Sequence, residues 1–270
     1  VSFTGSNGVG LKLYEQCSRR GAKVQCEMGG KNPVIVLEDA DMTLAVESTA
    51  QGAFGSTGQR CTATSRAIVV EEIAQEFTER IVARAQELKI GDGSDPATDV
   101  GPVVDSNQFK SVLRYVDAGR EDGAEMLTGG GVADGAALRK GYFVKPTVFA
   151  NVTPEMRIAR EEIFGPVLSV LRVRDFDEAM RVANDSEFGL SSSIFSNDAA
   201  RIFRFVEEIE TGMTHVNSPT TGGEAHIPFG GIKATGIGER EQGSTALDFY
   251  TELKVVYVDY TGRKREGNLY

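Results

Sequence analysis

Two short stretches of this sequence carry residues that could perform covalent chemistry. Residues 58–63 read Gly-Gln-Arg-Cys-Thr-Ala, a glycine-bordered turn around Cys61. Residues 26–33 read Cys-Glu-Met-Gly-Gly-Lys-Asn-Pro, in which one residue separates Glu27 from two successive glycines. A thiolate can attack an electrophilic carbon, and a nearby carboxylate can activate the thiol or a later water. The residue types therefore predict that Cys61 is a nucleophile and Glu27 a base.

Both residue types also have an ordinary structural interpretation. A free cysteine is most often a small buried residue, and a glutamate at the end of a strand is most often solvated. Cys17, in a predicted helix, and Cys26, in a predicted strand, are expected to be packing residues. Cys61 differs because the small residues 62–65 leave room around its sulfur and could begin a helix, whose N-terminus would stabilise a thiolate. Arg60 would do the same if its side chain turned inward.

The composition limits the class of protein. A chain of 270 residues with 40% hydrophobic and 25% charged residues is typical of a soluble globular protein. Its net charge of −10 argues against a nucleic-acid partner. The three cysteines have no metal-ligand spacing and no disulfide framework, and the sequence contains neither a long apolar run nor a leader. These features predict a cytoplasmic protein with no metal site and no membrane association.

Strand and helix patterns alternate along most of the chain, which predicts an α/β fold with an open, mostly parallel sheet flanked by helices. Apolar runs at residues 33–37 and 167–171 are typical of strands buried on both faces of such a sheet. The turn at residues 5–10 could bind a phosphate at a helix N-terminus, or could be a tight connection only. Similarly, Glu162 and Phe164 could contact a sugar and a flat ring, or could belong to a capped loop with Phe164 in the core.

Five motifs occur in a fixed order and together resemble the signatures of the aldehyde dehydrogenase superfamily. They are residues 3–6 with Gly10, residues 27–31, residues 58–61, residues 161–167 and residues 228–231. The resemblance extends from the first residue to about Tyr257. Members of that family carry an N-terminal half before the equivalent of Val1, so we expect this chain to be a fragment.

The resemblance implies a division into three parts. Residues 1–26 would be the last piece of a Rossmann-like cofactor-binding domain, and residues 27–228 would form the catalytic domain. Residues 229–270 would form a C-terminal return segment with an oligomerisation strand near residues 255–258, so the protein is expected to be a homo-oligomer.

The resemblance also implies a reaction and its residues. Cys61 would attack an aldehyde to give a thiohemiacetal, NAD or NADP would accept the hydride, and water activated by Glu27 would hydrolyse the thioester. Glu252 matches a glutamate thought to relay protons in relatives, or is a surface charge. The implied cofactor contacts are Gly5, Ser6, Gly10, Met28, Gly29, Glu162 and Phe164. The implied substrate contacts are Arg60, Thr62, Gly222, Gly223 and Phe229.

Arg60 is the best indication of the substrate, because a guanidinium beside the nucleophile could bind an aldehyde that carries a carboxylate or phosphate. It could equally point away into a salt bridge. Residues 58–66 resemble dehydrogenases of 2-oxoglutarate semialdehyde, and part of this run resembles non-phosphorylating glyceraldehyde-3-phosphate enzymes.

Three other interpretations remain open from the sequence. A cysteine protease or transferase would pair the thiolate with a histidine, yet His215 and His226 belong to no recognisable motif. The chain could instead be a structural or esterase-only half of an enzyme. A scaffold without chemistry would leave Cys61 buried and inert.

Overall fold

The computed structural model of this chain describes residues 1–136, 138–258, 260 and 262. The strands are β1 (Ser2–Thr4), β2 (Gln25–Glu27), β3 (Asn32–Val36), β4 (Thr64–Val70), β5 (Glu125–Thr128), β6 (Thr147–Ala150), β7 (Val167–Val173), β8 (Phe188–Gly189), β9 (Ser191–Phe195), β10 (Met213–Val216), β11 (Ile232–Lys233) and β12 (Gly236–Ile237). The α-helices are α1 (Asn7–Ser18), α2 (Met42–Phe54), α3 (Glu71–Glu87), α4 (Ser106–Glu121), α5 (Arg157–Arg160), α6 (Phe176–Asn184), α7 (Ala199–Glu208) and α8 (Gly243–Tyr250). Short 3-10 helices cover Gly55–Gly58 and Leu138–Lys140.

A seven-stranded sheet in the order β10-β9-β3-β4-β7-β6-β5 forms the centre of the molecule. Its pairings are parallel except for β5, which runs antiparallel to β6 at one edge. Because successive side chains of a strand point to opposite faces, β3 contributes to two separate cores. Val34 and Val36 pack with α2 and α3, whereas Ile35 and Leu37 pack with α4, α6 and α7. The predicted α/β class is confirmed, with a mixed sheet between two helical layers.

Aspartates begin several of the helices that cover this sheet. The side chains of Asp41, Asp105, Asp175 and Asp198 accept backbone N–H groups in the first turns of α2, α4, α6 and α7. Such N-caps satisfy donors that have no partner within the helix.

A smaller sheet lies beside the main one and joins the two ends of the chain. Strand β1 pairs parallel to β2, and β12 returns from the C-terminal part to pair antiparallel with β2. Strands β8 and β11 form a further antiparallel pair. The chain passes from β2 into β3 within residues 27–32, so Glu27 lies where the two sheets meet.

The predicted C-terminal strand does not form in this single chain. Residues 251–258 have no assigned secondary structure, and Tyr257 is almost fully exposed. The last part of the predicted return segment, at residues 259, 261 and 263–270, lies outside the described residues. In the described part of the chain, every helix is too short or too polar to span a bilayer.

Candidate active site

Cys61 and Glu27 face the same cavity, which has a volume of about 710 Å³. Glu27 is the last residue of β2, and Cys61 lies in the connection from the 3-10 helix Gly55–Gly58 to β4. The other lining residues are Thr4, Gly5, Ser6, Met28, Gly29, Gln59, Arg60, Thr62, Gln108, Ser111, Tyr115, Glu162, Ile163 and Phe164. Neither His215 nor His226 is among these residues, so a cysteine–histidine pair is not formed here.

The cysteine loop, residues 55–61, has an unfavourable backbone conformation. Ser56 and Thr57 have φ values of 51° and 59°, and Gly58 has a φ of 66°. For a β-branched residue such as Thr57 a positive φ is an outlier. A Cβ on Gly58 would lie 2.2 Å from the carbonyl oxygen of Gly165, so only glycine allows these backbones to approach.

Buried side chains hold the backbone on the other side of the nucleophile. Asn32 donates its side-chain amide to the carbonyl oxygens of Cys61 and Ala63, both at 2.8 Å. Thr220 donates its hydroxyl to the carbonyl of Thr62 at 2.7 Å. The thiol is therefore placed by contacts that reach it from three separate parts of the chain.

The predicted helix after Cys61 is wrong, because Thr64–Val70 forms strand β4. Pairing of β4 with β3 and β7 overrides the local tendency of the small residues. Burial raises the pKa of the Cys61 thiol, and the charges of Glu162 and Glu27 raise it further. Backbone N–H groups of Thr62 and Cys61 oppose this shift. The Cys61 thiol is thus half-buried, and a base would have to remove its proton before the sulfur could act as a nucleophile.

Glu27 has the surroundings of such a base. Its side chain is only 4% exposed, and its Oε2 has no hydrogen-bond partner in the described part of the chain. The pKa of Glu27 is raised to about 8, mainly by burial and also by the charge of Glu241, while Arg240 opposes the shift. A carboxyl group with a pKa near neutrality can both accept and return a proton.

The carboxylate that raises the pKa of Glu27 is that of Glu241, whereas the sequence offers Glu252 as a proton relay or a surface charge. Glu252 lies at the surface with its side chain 84% exposed, 3.0 Å from Lys23 Nζ. The surface-charge interpretation of Glu252 is therefore the one that the structure supports.

Glu162 also lines the cavity, where its carboxylate contacts Gly29 and Gly30. The backbone N–H of Gly30 donates to Glu162 Oε1 at 2.9 Å. A Cβ on Gly29 would lie 2.2 Å from Glu162 Oε2, so the side chain fills the space that a larger residue would need. Burial raises the pKa of Glu162, while the Gly30 N–H and Lys31 oppose the shift.

Lys31 is a buried cation beside this carboxylate. Its side chain is 2% exposed and its Nζ has no hydrogen-bond partner among the described residues. The pKa of Lys31 is lowered to about 7, mainly by burial and also by the charge of Arg66, whereas Glu162 and Glu161 oppose the shift.

The Phe164 turn, residues 162–165, borders the cavity with an aromatic ring that is 38% exposed. Phe164 has a φ of 55°, which makes it, after Ser56 and Thr57, a third non-glycine residue of the cavity region in the left-handed conformation. Gln108 donates its side-chain amide to the carbonyls of Ile163 and Phe164, at 2.9 and 2.8 Å. The interpretation of Phe164 as a core residue is wrong, because the ring faces the cavity.

Four predicted contacts do not line this cavity. Gly10 is buried under Met28, and a Cβ there would lie 2.4 Å from the Met28 sulfur, so Gly10 allows α1 to pack closely. Gly222 and Gly223 are exposed, and Phe229 pairs through its backbone with Glu241. The other predicted contacts, Gly5, Ser6, Met28, Gly29, Arg60, Thr62, Glu162 and Phe164, all line it.

Four neighbours of the site were not predicted from the sequence, namely Asn32, Gln108, Lys31 and Glu241. Asn32 and Lys31 stand within the quoted motif of residues 26–33, so adjacency to Glu27 was the available signal. Gln108 and Glu241 carried no local signal, because their contacts join distant segments.

The sequence matches the model of the aldehyde dehydrogenase family over residues 1–256. The chain belongs to the aldehyde dehydrogenase family. It is 49% identical to the alpha-ketoglutarate semialdehyde dehydrogenase of Haloferax volcanii, over 96% of this chain and 54% of that protein. It is 46% identical to the alpha-ketoglutaric semialdehyde dehydrogenase of Bacillus subtilis, over 96% of this chain and 53% of that protein. The chain thus spans about half the length of these relatives.

A solved structure shows the same fold. The betaine aldehyde dehydrogenase of Staphylococcus aureus in complex with NAD+ superimposes with a TM-score of 0.90 at 35% identity. The match covers 93% of this chain and 49% of that one.

Proposed function

We propose that this chain supplies the catalytic half of an NAD-dependent aldehyde dehydrogenase that converts an aldehyde to a carboxylic acid. The observation that carries the proposal is the convergence of Cys61, Glu27 and Glu162 on one cavity. A nucleophile, a base of raised pKa and a carboxylate placed for a sugar hydroxyl form the set that this reaction needs.

The residues around the cavity suit a dinucleotide. Ser6 precedes α1 and makes no side-chain cap, so the free N–H groups of the first turn are available to a pyrophosphate. Glu162, held by the Gly30 N–H, offers oxygens to ribose hydroxyls, and Phe164 offers a flat surface beside them. When bound, NAD accepts the hydride that leaves the substrate carbon. Structures of relatives contain NAD+, which supports NAD as the cofactor.

The chain's own groups account for the remaining steps. Glu27 takes the thiol proton, the Cys61 sulfur forms a bond to the aldehyde carbon, and the carbonyl electron pair moves to oxygen. The backbone N–H groups of Cys61 and Thr62, which lower the pKa of the thiol, are the donors that we assign to the oxyanion. After hydride loss, Glu27 releases the thiol proton to solvent and then takes a proton from water, whose oxygen attacks the thioester carbon. The bond to sulfur breaks, and Glu27 returns this second proton to the leaving thiolate.

The substrate we propose is a semialdehyde with a carboxylate, of the 2-oxoglutarate semialdehyde type. Arg60 lines the cavity next to Cys61, and among the described residues it forms no ion pair. Its guanidinium is therefore available for a carboxylate. Two relatives at 46–49% identity are named for this substrate.

The test compares this chain with the chain joined to the N-terminal half of the Bacillus subtilis relative, each with and without Cys61→Ala. Reduction of NAD and hydrolysis of an activated ester are followed with a panel of carboxylated aldehydes. Cys61-dependent NAD reduction by the joined protein, fastest with a carboxylated semialdehyde, is the expected result. The proposal fails if the joined protein folds yet reduces no NAD.

One second candidate remains, in which this chain acts alone as an esterase. The observation that favours it is the complete Cys61 and Glu27 pair within this chain. Ester hydrolysis by the chain alone, lost in Cys61→Ala, would support it, and equal hydrolysis by both variants would exclude it.

A further inference from the structure

We propose that residues 101–108 brace the cysteine loop and the Phe164 turn against each other, with Gln59 and Gln108 as positioning residues. These residues lead into α4 and form its first turn. The inference rests on the proposed function in one respect only, namely that the braced groups are the nucleophile and the cofactor-binding carboxylate.

The first side of the brace holds the cysteine loop. Gln59 Oε1 accepts the backbone N–H of Val104 at 2.8 Å. Thr57 donates its hydroxyl to the carbonyl of Gly101 at 3.1 Å. Both contacts span more than forty residues of sequence, since the separations are 45 and 44 residues. The loop is therefore held by this distant segment in addition to its own turn, in which the backbone N–H of Gln59 donates to the carbonyl of Ser56 at 3.1 Å.

The second side of the brace holds the Phe164 turn. Gln108 donates its side-chain N–H groups to two successive carbonyls, those of Ile163 and Phe164. Gln108 is itself fixed, because its backbone N–H is capped by Asp105 Oδ1 at 2.8 Å. The first turn of α4 thus fixes the position of the Phe164 turn.

The two braced segments also touch each other directly. The backbones meet at Gly58 and Gly165, where no Cβ would fit. Each segment contains a non-glycine residue of positive φ, Thr57 at 59° and Phe164 at 55°. Such conformations persist only where the surroundings over-determine them. Here the cysteine loop, the Phe164 turn and residues 101–108 each contact the other two, and these contacts hold Thr57 and Phe164 in their conformations.

The brace affects the relative position of Cys61 and Glu162. Cys61 lies two residues after Gln59, and Glu162 lies two residues before Phe164. A brace that joins these segments fixes the distance between the thiol and the carboxylate, and a misplacement of about 1 Å can cost roughly 100-fold in rate.

The brace is tested with one reporter on each segment, and neither reporter needs aldehyde or cofactor. The first is the alkylation rate of Cys61 by iodoacetamide in the folded chain, read by mass spectrometry. The second is the emission of Phe164→Trp, a unique fluorophore because the chain contains no tryptophan. Both are measured in Gln59→Met and Gln108→Met. Gln75→Met is the control, since among the described residues the side chain of Gln75 forms a hydrogen bond only with Glu79, on the surface of α3.

We expect each of the two brace substitutions to move both reporters. Alkylation of Cys61 should rise roughly threefold or more, because a loosened loop exposes the thiol and lowers its pKa. The Trp emission should shift to the red in the same variants, and the control should move neither reporter. The inference is overturned if each substitution moves only the reporter on its own segment.

Glutamate substitutions give a signature that loss of packing would not. Gln59→Glu keeps an acceptor for the Val104 N–H and loses only the long donations of Nε2 to the carbonyls of Ser56 and Pro102, both at 3.5 Å. Its alkylation rate should therefore stay within about twofold of the parent. Gln108→Glu has no donor for its two carbonyls and should act at least as strongly as Gln108→Met. Equal effects of the two glutamates would contradict the brace. If Gln108→Met does not fold, Gln108→Asn replaces it, because the shorter amide cannot reach both carbonyls.

Failure of the brace and failure of the proposed function are distinguishable. The brace is read in the chain alone, from thiol reactivity and fluorescence. The dehydrogenase activity is read from NAD reduction by the joined protein.

Discussion

Asn32 binds the backbone of Cys61 through a side-chain amide that is 2.8 Å from the carbonyl oxygen of the nucleophile. The same side chain accepts the backbone N–H of Ser191 at 3.0 Å and is 2% exposed. Asn32 begins β3, five residues after Glu27. One buried amide thus connects the nucleophile, the central sheet and the segment that carries the base.

Asn32→Ala is expected to destabilise the chain and to disturb the thiol. The substitution leaves the carbonyls of Cys61 and Ala63 and the N–H of Ser191 without their partner, and unpaired buried groups cost about 1–3 kcal/mol each. We expect a loss of at least about 2 kcal/mol in urea unfolding, together with a changed alkylation rate of Cys61. Asn107→Ala, on the exposed side of α4, is the control and should change neither. Unchanged unfolding in Asn32→Ala would show that water replaces the amide.

Glu27→Gln is expected to abolish a pH-dependent step of ester hydrolysis. Deacylation is the informative step, because the Cys61 sulfur of the acyl-enzyme is bound in a thioester and cannot titrate. A base must be ionised, and the pKa of Glu27 is raised to about 8, so deacylation should increase with pH and reach half of its plateau near pH 8. Glu27→Gln should lose about 100-fold at pH 9 and show no such rise. Stopped-flow measurement of acyl-enzyme decay checks both.

Glu241→Gln supplies the control for this assignment. The charge of Glu241 contributes to the raised pKa of Glu27, so its removal should move the deacylation midpoint to lower pH without abolishing the step. A midpoint that stays in place, or a wild-type profile in Glu27→Gln, would assign the base to another group.

The sequence allowed the main strands and the reacting pair to be predicted, because both depend on local patterns. The strand at residues 33–37 is apolar on both faces, as a central parallel strand must be. Cys61 and Glu27 stand in short motifs that are weak alone, and it is their order together with three other motifs that indicates the family and the roles proposed for both residues. The helix expected after Cys61 failed because β4 pairs with two neighbours, a long-range gain that local propensity does not contain.

The supporting contacts could not be predicted for the same physical reason. Gln108 lies 56 residues from Phe164, and Asn32 lies 29 residues from Cys61. Nothing near Gln108 in the sequence distinguishes it from a surface residue of an amphipathic helix. Glu241 reaches Glu27 only because β12 returns the chain to β2.

Lys31→Met is expected to stabilise the fold in a pH-dependent way. The pKa of Lys31 falls from 10.5 to about 7 on folding, so between these values the unfolded chain binds a proton that the folded chain does not. Stability of the parent therefore increases with pH over this window, and the cost of the buried charge is greatest below pH 7. We expect Lys31→Met to gain about 1–4 kcal/mol at pH 6 and progressively less toward pH 10.

Chemical unfolding at several pH values measures this gain, with the exposed Lys110→Met as control. Loss of the Lys31 charge also raises the pKa of Glu162, because Lys31 opposes the burial effect there. A constant destabilisation of Lys31→Met across the whole pH range would show that the side chain matters for packing and not for its charge.

Arg60→Met is expected to change substrate preference rather than the chemical step. Arg60 is exposed to the cavity beside Cys61, and a guanidinium binds a carboxylate by charge-assisted hydrogen bonds worth about 1.5–3 kcal/mol. In the joined protein, kcat/KM for 2-oxoglutarate semialdehyde should therefore fall roughly 10- to 100-fold. For an uncharged aldehyde of similar length it should stay within about twofold, since that substrate has no carboxylate to lose. Arg60→Lys should lie between, because an ammonium keeps the charge without the planar fork, and Arg80→Met on α3 should match the parent. An equal loss for both aldehydes would place Arg60 in the support of the cysteine loop, and the carboxylate would then have to be bound by another part of the enzyme.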